Sequence, residues 1–269
     1  MKIVLVQLAS PDNESIDDRR KRVAGLIRNA PRADLYMLPE LWTCGFLSSD
    51  NYAASAEALN GRTVGMMAQL ARDRGAHIHA GSIVERTEAG RLRNTAILLD
   101  PRGHVIHTYS KIHGFGHESS ERDLLVPGDH VDVTSTEFGR VASTTCYDLR
   151  FPGLWERIAD GGADMVFVPA AWPTARVDHW RLFTSARAVE AQAFVIACNA
   201  VGEQSGVPFG GHSRIVDPWG NVLVELGEDE EVAVIDIDPR RVADVRETFP
   251  VLRDRLDDYE RIIVSGVGQ

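Results

Sequence analysis

Glu40, Lys111 and Cys146 each fall at the carboxyl end of an apolar, strand-like run, where an α/β fold presents its reactive groups. Cys146 closes the run 141–146 and opens a polar turn, Tyr147-Asp148-Leu149-Arg150-Phe151-Pro152. A cysteine nucleophile needs a base to take the thiol proton and donors to hold the developing oxyanion. Glu40, straight after Pro39, offers the base. Lys111, straight after Ser110, offers a compact ammonium that arginine cannot imitate. Taken singly, each has a plain alternative: a buried structural cysteine, a surface glutamate after a turn, a solvated lysine. The lysine fits its alternative least well. Of the 29 basic residues only Lys2, Lys21 and Lys111 are lysine, so a chain that favours arginine keeps one here. Cys198 lies inside an apolar run and reads as core, and Cys44 sits in a loop beside Gly45.

Other chemistries find less support. His77-x-His79 places two imidazoles on one strand face as a possible metal pair, and His104, His107, His113 and His117 add to the supply. There is no His-Glu-x-x-His and no Cys-x-x-Cys. A cysteine–histidine pair with His113 or His117 has no signature behind it. Gly-x-Ser-x-Gly, Walker and Gly-x-Gly-x-x-Gly patterns are missing too, which disfavours serine hydrolases and nucleotide or dinucleotide enzymes. With 39 acidic residues and a formal charge of −10, the chain is not expected to bind nucleic acid. No apolar run is long enough to span a membrane, and the first, 3–6, is too short for a signal peptide. Three widely spaced cysteines point to a reducing compartment, and hence to the cytoplasm.

The elements that must position these residues alternate along the chain. Strands are predicted at 2–8, 33–38, 77–85, 95–99, 105–110, 141–146, 165–168 and 194–199, with a hairpin over 214–226. Ser15 and Asp18 form a capping-box pattern before a helix carrying Ile16, Val23, Leu26, Ile27 and Ala30. Val64, Met67, Ala68 and Ala71 mark a second helix, stopped near Gly75. A short one starts near Pro152, and Leu182, Phe183, Ala186, Val189 and Ala193 give the apolar face of another. Residues 33–39 recur as 163–169, with Trp42 matched by Trp172 and Glu40 by Ala170. Residues 98–103 recur as 215–220, both ending in an Asp-Pro-x-Gly turn. Two similar halves predict two sheets face to face with helices outside, in one domain over residues 1–269.

The motifs Leu38-Pro39-Glu40-Leu41-Trp42, Tyr109-Ser110-Lys111-Ile112-His113 and Cys146-Tyr147-Asp148-Leu149-Arg150-Phe151-Pro152 resemble those of the carbon–nitrogen hydrolases of the nitrilase superfamily. Residues 187–192 and 246–250 resemble the family as well, so the likeness covers nearly the whole chain. It implies an α-β-β-α sandwich and a Glu-Lys-Cys triad. Cys146 would be the nucleophile and Glu40 the general base. Lys111 and the Tyr147 backbone N–H would hold the oxyanion. A further glutamate, counted six residues back from Pro127, would be Glu121, with Glu118 close by. The resemblance implies hydrolysis of an amide through a thioester, with no metal or organic cofactor, in a homodimer or larger homo-oligomer. A nitrilase or a carbamoyl-amide hydrolase would use the same triad, and a non-catalytic binding protein could keep the fold. Residues 171–176 with His179-Trp180 look most like the bacterial ω-amidase branch, in which Trp172 would line the pocket. Arg150 or Arg176 would then meet a substrate carboxylate. Gly153 departs from the family's usual glutamate after Phe-Pro.

Overall fold

The structure, a computed structural model, describes residues 1–117, 119–256 and 262. Its strands are β1 (Lys2–Gln7), β2 (Leu35–Met37), β3 (His77–Arg86), β4 (Leu92–Leu99), β5 (Val105–Ser110), β6 (Thr134–Thr136), β7 (Gly139–Ser143), β8 (Met165–Ala170), β9 (Phe194–Asn199), β10 (Val201–Gln204), β11 (Val207–Gly210), β12 (Arg214–Val216), β13 (Val222–Glu225) and β14 (Glu231–Asp236). Its α-helices are α1 (Ile16–Asn29), α2 (Tyr52–Ser55), α3 (Arg62–Arg74), α4 (Glu121–Leu124), α5 (Pro152–Asp160), α6 (Val177–Ala191) and α7 (Arg241–Thr248).

Two six-stranded sheets run in the orders β14-β1-β2-β3-β4-β5 and β6-β7-β8-β9-β12-β13, the second read from its β6 edge. The pairing repeats between them. β1, β2 and β3 are parallel, as are β7, β8 and β9. β14 and β6 are the antiparallel edges, and the β4–β5 and β12–β13 hairpins close the other side. The recurring Asp-Pro-x-Gly segments are the turns of those hairpins. Asp100 accepts from the backbone N–H of Arg102 and His104, and Asp217 accepts in the same way from Trp219 and Asn221. The α-β-β-α sandwich and its internal pseudo-symmetry agree with the expectation.

Alternation along the strands builds the layers. Ile3, Leu5, Leu35, Met37, Phe167, Ile196 and Cys198 face the gap between the sheets. Val4, Val6, Tyr36 and Ile78 pack under α1 and α3, while Val166, Val168, Val195 and Ala197 pack under α5 and α6. Burial on both faces explains why these strands read as continuous apolar runs rather than alternating ones. Ser15 caps α1 by accepting the Asp18 N–H at 3.1 Å, and Gly75 ends α3 in the left-handed region at φ 62°.

The apolar face expected on α6 is corrected. Trp180, Thr184, Arg187, Ala188 and Ala191 face inward, whereas Leu182 and Val189 are exposed. Polar side chains hold the inner face because each finds a partner. The Thr184 hydroxyl donates to Trp180 O, and the Arg187 guanidinium donates to Leu149 O. Four strands were not read from the sequence: β6, β10 and β11 are three or four residues long, and β14 is a half-exposed edge. The run 141–146 stops being strand at Ser143, and Cys146 begins a separate 3₁₀ turn, Cys146–Arg150.

His79 and His107 do not form a metal pair with His77. His79 meets Ser143 at 3.2 Å, His107 meets Thr134 at 3.0 Å, and His77 packs edge-on to Phe138. Burial pushes the His79 imidazole down to about 3 and the His107 imidazole down to about 4, from an ordinary 6.5. The unfolded chain therefore takes up protons below pH 6.5 that the folded chain refuses until about pH 4 and 3. Stability is expected to fall as pH drops through that window. Urea midpoints should decline with acid, and His79→Gln/His107→Gln should flatten the decline relative to its own neutral value.

Candidate active site

β2 delivers Glu40 through a short, tightly held link. Leu38 N–H donates to His79 O, and Ser82 N–H donates to Pro39 O across a bulge in β3. Gly81, at φ 65°, makes that approach possible, since a Cβ there would lie 1.9 Å from Pro39 O. The loop beyond is pinned from α1: the Arg19 guanidinium donates to Trp42 O at 3.2 Å and Thr43 O at 3.0 Å. Leu41 and Cys146 both adopt positive φ, 41° and 47°. Such strain in non-glycine residues gathers where surrounding structure forces a functional geometry.

Glu40, Lys111 and Glu121 are all buried, with Lys111 bonded to both carboxylates. Lys111 Nζ donates to Glu40 Oε1 at 2.8 Å and to Glu121 Oε1 and Oε2 at 2.9 and 2.8 Å. Asn94 Nδ2, from β4, donates to Glu40 Oε1 and to Glu121 Oε1, each at 2.8 Å. The Ala171 N–H donates to Glu40 Oε2 at 2.9 Å, and the Phe115 N–H to Glu121 Oε2 at 2.8 Å. The Cys146 thiol is buried beside the Glu40 carboxylate, whose charge acts on it. Ala170, the counterpart of Glu40 in the repeat, accepts the Glu40 backbone N–H at 3.4 Å, so the two equivalent strand ends meet at the site. Glu121 is held against Lys111; Glu118 lies outside the described residues.

Burial pushes the Glu40 carboxyl up, against the pull of Lys111, and Glu121 pushes it further. Burial and the neighbouring Glu40 likewise raise the Cys146 thiol. For Lys111, burial works against the charge, but Glu121 and Glu40 outweigh it and hold the ammonium above its ordinary range. A carboxylate made more basic, next to a thiol that keeps its proton until a partner takes it, suits transfer during attack rather than a resting thiolate.

Asp148 locks the cysteine turn to the lysine strand. It accepts from Tyr109 Oη at 2.7 Å, from the His113 backbone N–H at 3.0 Å and from the Thr145 N–H at 3.1 Å, and meets His113 Nδ1 at 2.7 Å. His113 thus serves Asp148 and stacks on Phe151 at 3.6 Å, instead of forming the cysteine–histidine pair weighed above.

Beside Cys146 a narrow slot of about 20 Å³ is lined by Phe46, Phe115, Tyr147, Arg150, Trp172 and Arg176. The Arg150 guanidinium lies 4.6 Å from the Trp172 ring centroid, and that of Arg176 lies 5.6 Å from Phe115. Neither arginine has an ion pair with a carboxylate among the described residues. All eight residues singled out from the sequence therefore gather around one site. Asn94, Asp148, Phe46, Phe115 and Gly81 were not singled out. Asp148 stood within the cysteine motif, whereas Asn94 sits mid-strand with no local signal.

The Carbon-nitrogen hydrolase profile matches residues 2–247. A 2-oxoglutaramate amidase of Paenarthrobacter nicotinovorans is 36% identical over 265 residues, covering 96% of this chain and 90% of its own. A 2-oxoglutaramate amidase of Bacillus subtilis is 36% identical over 234 residues, covering 86% and 89%. The crystal structure of XC1258 from Xanthomonas campestris, described as a CN-hydrolase superfamily protein with an arsenic adduct in the active site, superposes with a TM-score of 0.87 at 30% identity, covering 96% of this chain and 98% of that one. This nitrilase-type sandwich, its three motifs and these matches agree: the chain belongs to the carbon–nitrogen hydrolase family.

Proposed function

We propose that this hydrolase is an amidase that cleaves the ω-amide of a small 2-oxo acid to the acid and ammonia, working as one domain. The observation that carries the reading is the two guanidiniums, Arg150 and Arg176, that have no carboxylate partner among the described residues and line an aromatic slot beside Cys146. A half-buried arginine without a carboxylate partner suits an anionic substrate group held by two parallel hydrogen bonds. The naming of the two bacterial relatives supports the same substrate class.

In this reading Glu40 takes the thiol proton as the Cys146 sulfur attacks the amide carbon. The oxyanion is held by Lys111 and the Tyr147 N–H. Glu40 returns the proton to the nitrogen as the C–N bond breaks, leaving ammonia and a thioester. Glu40 then draws a proton from water as its oxygen attacks the thioester carbon, and passes that proton to the sulfur as the C–S bond breaks and the acid is freed. Glu121 and Asn94 hold Lys111 and Glu40 in register, as their hydrogen bonds indicate. Each oxyanion donor is worth roughly 2.7–4 kcal/mol when judged by its removal.

Ammonia release should be measured across a panel of amides, nitriles and carbamoyl amines. The expected result is turnover of 2-oxo acid ω-amides well above uncharged amides; turnover of nitriles or carbamoyl amines alone would overturn it, and silence across the panel would favour a binding protein. Arg150→Leu is expected to raise KM for the carboxylated amide by about 10–100-fold, the size of a lost charged hydrogen bond. Turnover of an uncharged amide should change little. Equal effects on both would remove Arg150 from carboxylate recognition.

We also infer a cytoplasmic homodimer or larger homo-oligomer. Three free cysteines support the compartment, and the exposed Leu182, Val189, Trp219 and Phe249 support the assembly. Elution as a 29.6 kDa globule would count against the assembly.

A further inference from the structure

Asn199, the last residue of β9, is fully buried and lies outside both the Glu40–Lys111–Glu121 cluster and the lining of the slot. Its side chain spends its whole hydrogen-bonding capacity on backbone. Oδ1 accepts from the Trp172 N–H at 2.6 Å and from the Ala200 N–H at 2.9 Å. Nδ2 donates to Trp172 O at 3.2 Å and to Gly211 O at 2.7 Å. These four bonds fix which way the amide points, since a flip would set like against like at each of them. Asn199 is itself held, because its backbone N–H donates to Ser213 Oγ at 2.8 Å. Trp172 is thus clamped at both its N–H and its carbonyl by one side chain from the neighbouring strand.

The clamped segment touches both arms of the site. Ala171, one residue earlier, donates its N–H to Glu40 Oε2 at 2.9 Å. The Trp172 ring centroid lies 4.6 Å from the Arg150 guanidinium, and Trp172 Nε1 donates to Arg176 O at 2.6 Å. The strand end that carries Glu40 is held more lightly from its own neighbour, β3. There Ser82 Oγ accepts the Leu41 N–H at 3.0 Å. A buried network with every group satisfied rigidifies what it binds, and here it binds the two residues that the base and both arginines lean on.

We propose that Asn199 is a positioning residue that sets the base and the carboxylate-binding arginines together, through the backbone of Ala171 and Trp172. The proposal rests on the amidase reading, from which the arginines take their role. Loosening Ala171 disturbs Glu40 and slows turnover of every amide. Loosening Trp172 disturbs Arg150 and Arg176 and weakens the hold on a carboxylate alone.

Two substrates separate these effects: a 2-oxo acid ω-amide and an uncharged amide of similar length. Wild type is compared with Asn199→Ala, which removes all four side-chain bonds. It is also compared with Asn199→Asp, which keeps the volume and both acceptors but loses the donors to Trp172 O and Gly211 O. The expected result is a KM for the ω-amide raised about tenfold, the scale of one hydrogen bond. KM for the uncharged amide should stay in place, and kcat should fall to a similar extent for both. Loss of folded protein lowers kcat and leaves KM unmoved, so KM carries the decision. Asn199→Asp is expected to show the same split, and it stands as the test if Asn199→Ala does not fold. Both KM values unmoved in a folded variant would make Asn199 a structural residue only and overturn the proposal. An equal rise in both would overturn it too. Wild type that releases ammonia from charged and uncharged amides with the same KM would overturn the carboxylate role of the arginines, and the coupling with it.

Discussion

Cys146→Ala is expected to bring ammonia release to the background of the assay, a loss on the order of 10⁶-fold if the sulfur is the nucleophile. Its surroundings give no substitute. The thiol is buried beside Glu40 and held at φ 47° by a turn that Asp148 ties to the end of β5. A water in its place would have the base but not the covalent route that splits amide cleavage into two easier steps. The variant should fold normally, because alanine meets the same backbone strain and leaves the Asp148 bonds intact. Steady-state ammonia assays and near-UV circular dichroism check both halves. Undiminished turnover would remove Cys146 from the mechanism.

Lys111→Arg is the second large effect, although it keeps the charge. The Lys111 ammonium sits 2.8 Å from both Glu40 and Glu121 in a site that leaves it 3% exposed. A guanidinium is broader and planar, so it cannot occupy that point without displacing a carboxylate or intruding on the oxyanion position. The expected loss in kcat is about 10²–10³-fold, that of an oxyanion donor, with lowered thermal stability. Lys111→Met should be worse for stability, since it leaves two buried carboxylates unpaired, at about 3–5 kcal/mol. Near-normal kcat in Lys111→Arg would return the lysine to the status of an ordinary cation.

These residues were legible in the sequence because each follows a strand by one to three residues, next to punctuation that survives in one dimension. Pro39 precedes Glu40, and Cys146 opens a polar turn. Lys111 stood out as well because only three of the 29 basic residues are lysine, and the structure leaves Lys21 paired with Asp18 at the surface and Lys2 at the start of β1. The sandwich was legible through the repeat of 33–39 in 163–169, which the structure resolves into β2 and β8. What escaped has tertiary causes. Asn94 looks like any strand residue until β4 is laid beside Glu40. Gly81 matters through an approach of Pro39 from another strand. The face of α6 was misread because apolar spacing exists on two sides of the helix, and the partners of Thr184 and Arg187 decide between them.

Rapid-quench mass spectrometry on the wild-type protein bears most directly on the thioester. The protein is mixed with a 2-oxo acid ω-amide, acid-quenched within a turnover and digested. The expected result is a Cys146 peptide heavier by the substrate less ammonia, decaying at the rate the acid appears and missing in Cys146→Ala. Ammonia released in turnover with no adduct on Cys146, or with the adduct on another residue, would contradict the Glu40–Lys111–Cys146 mechanism.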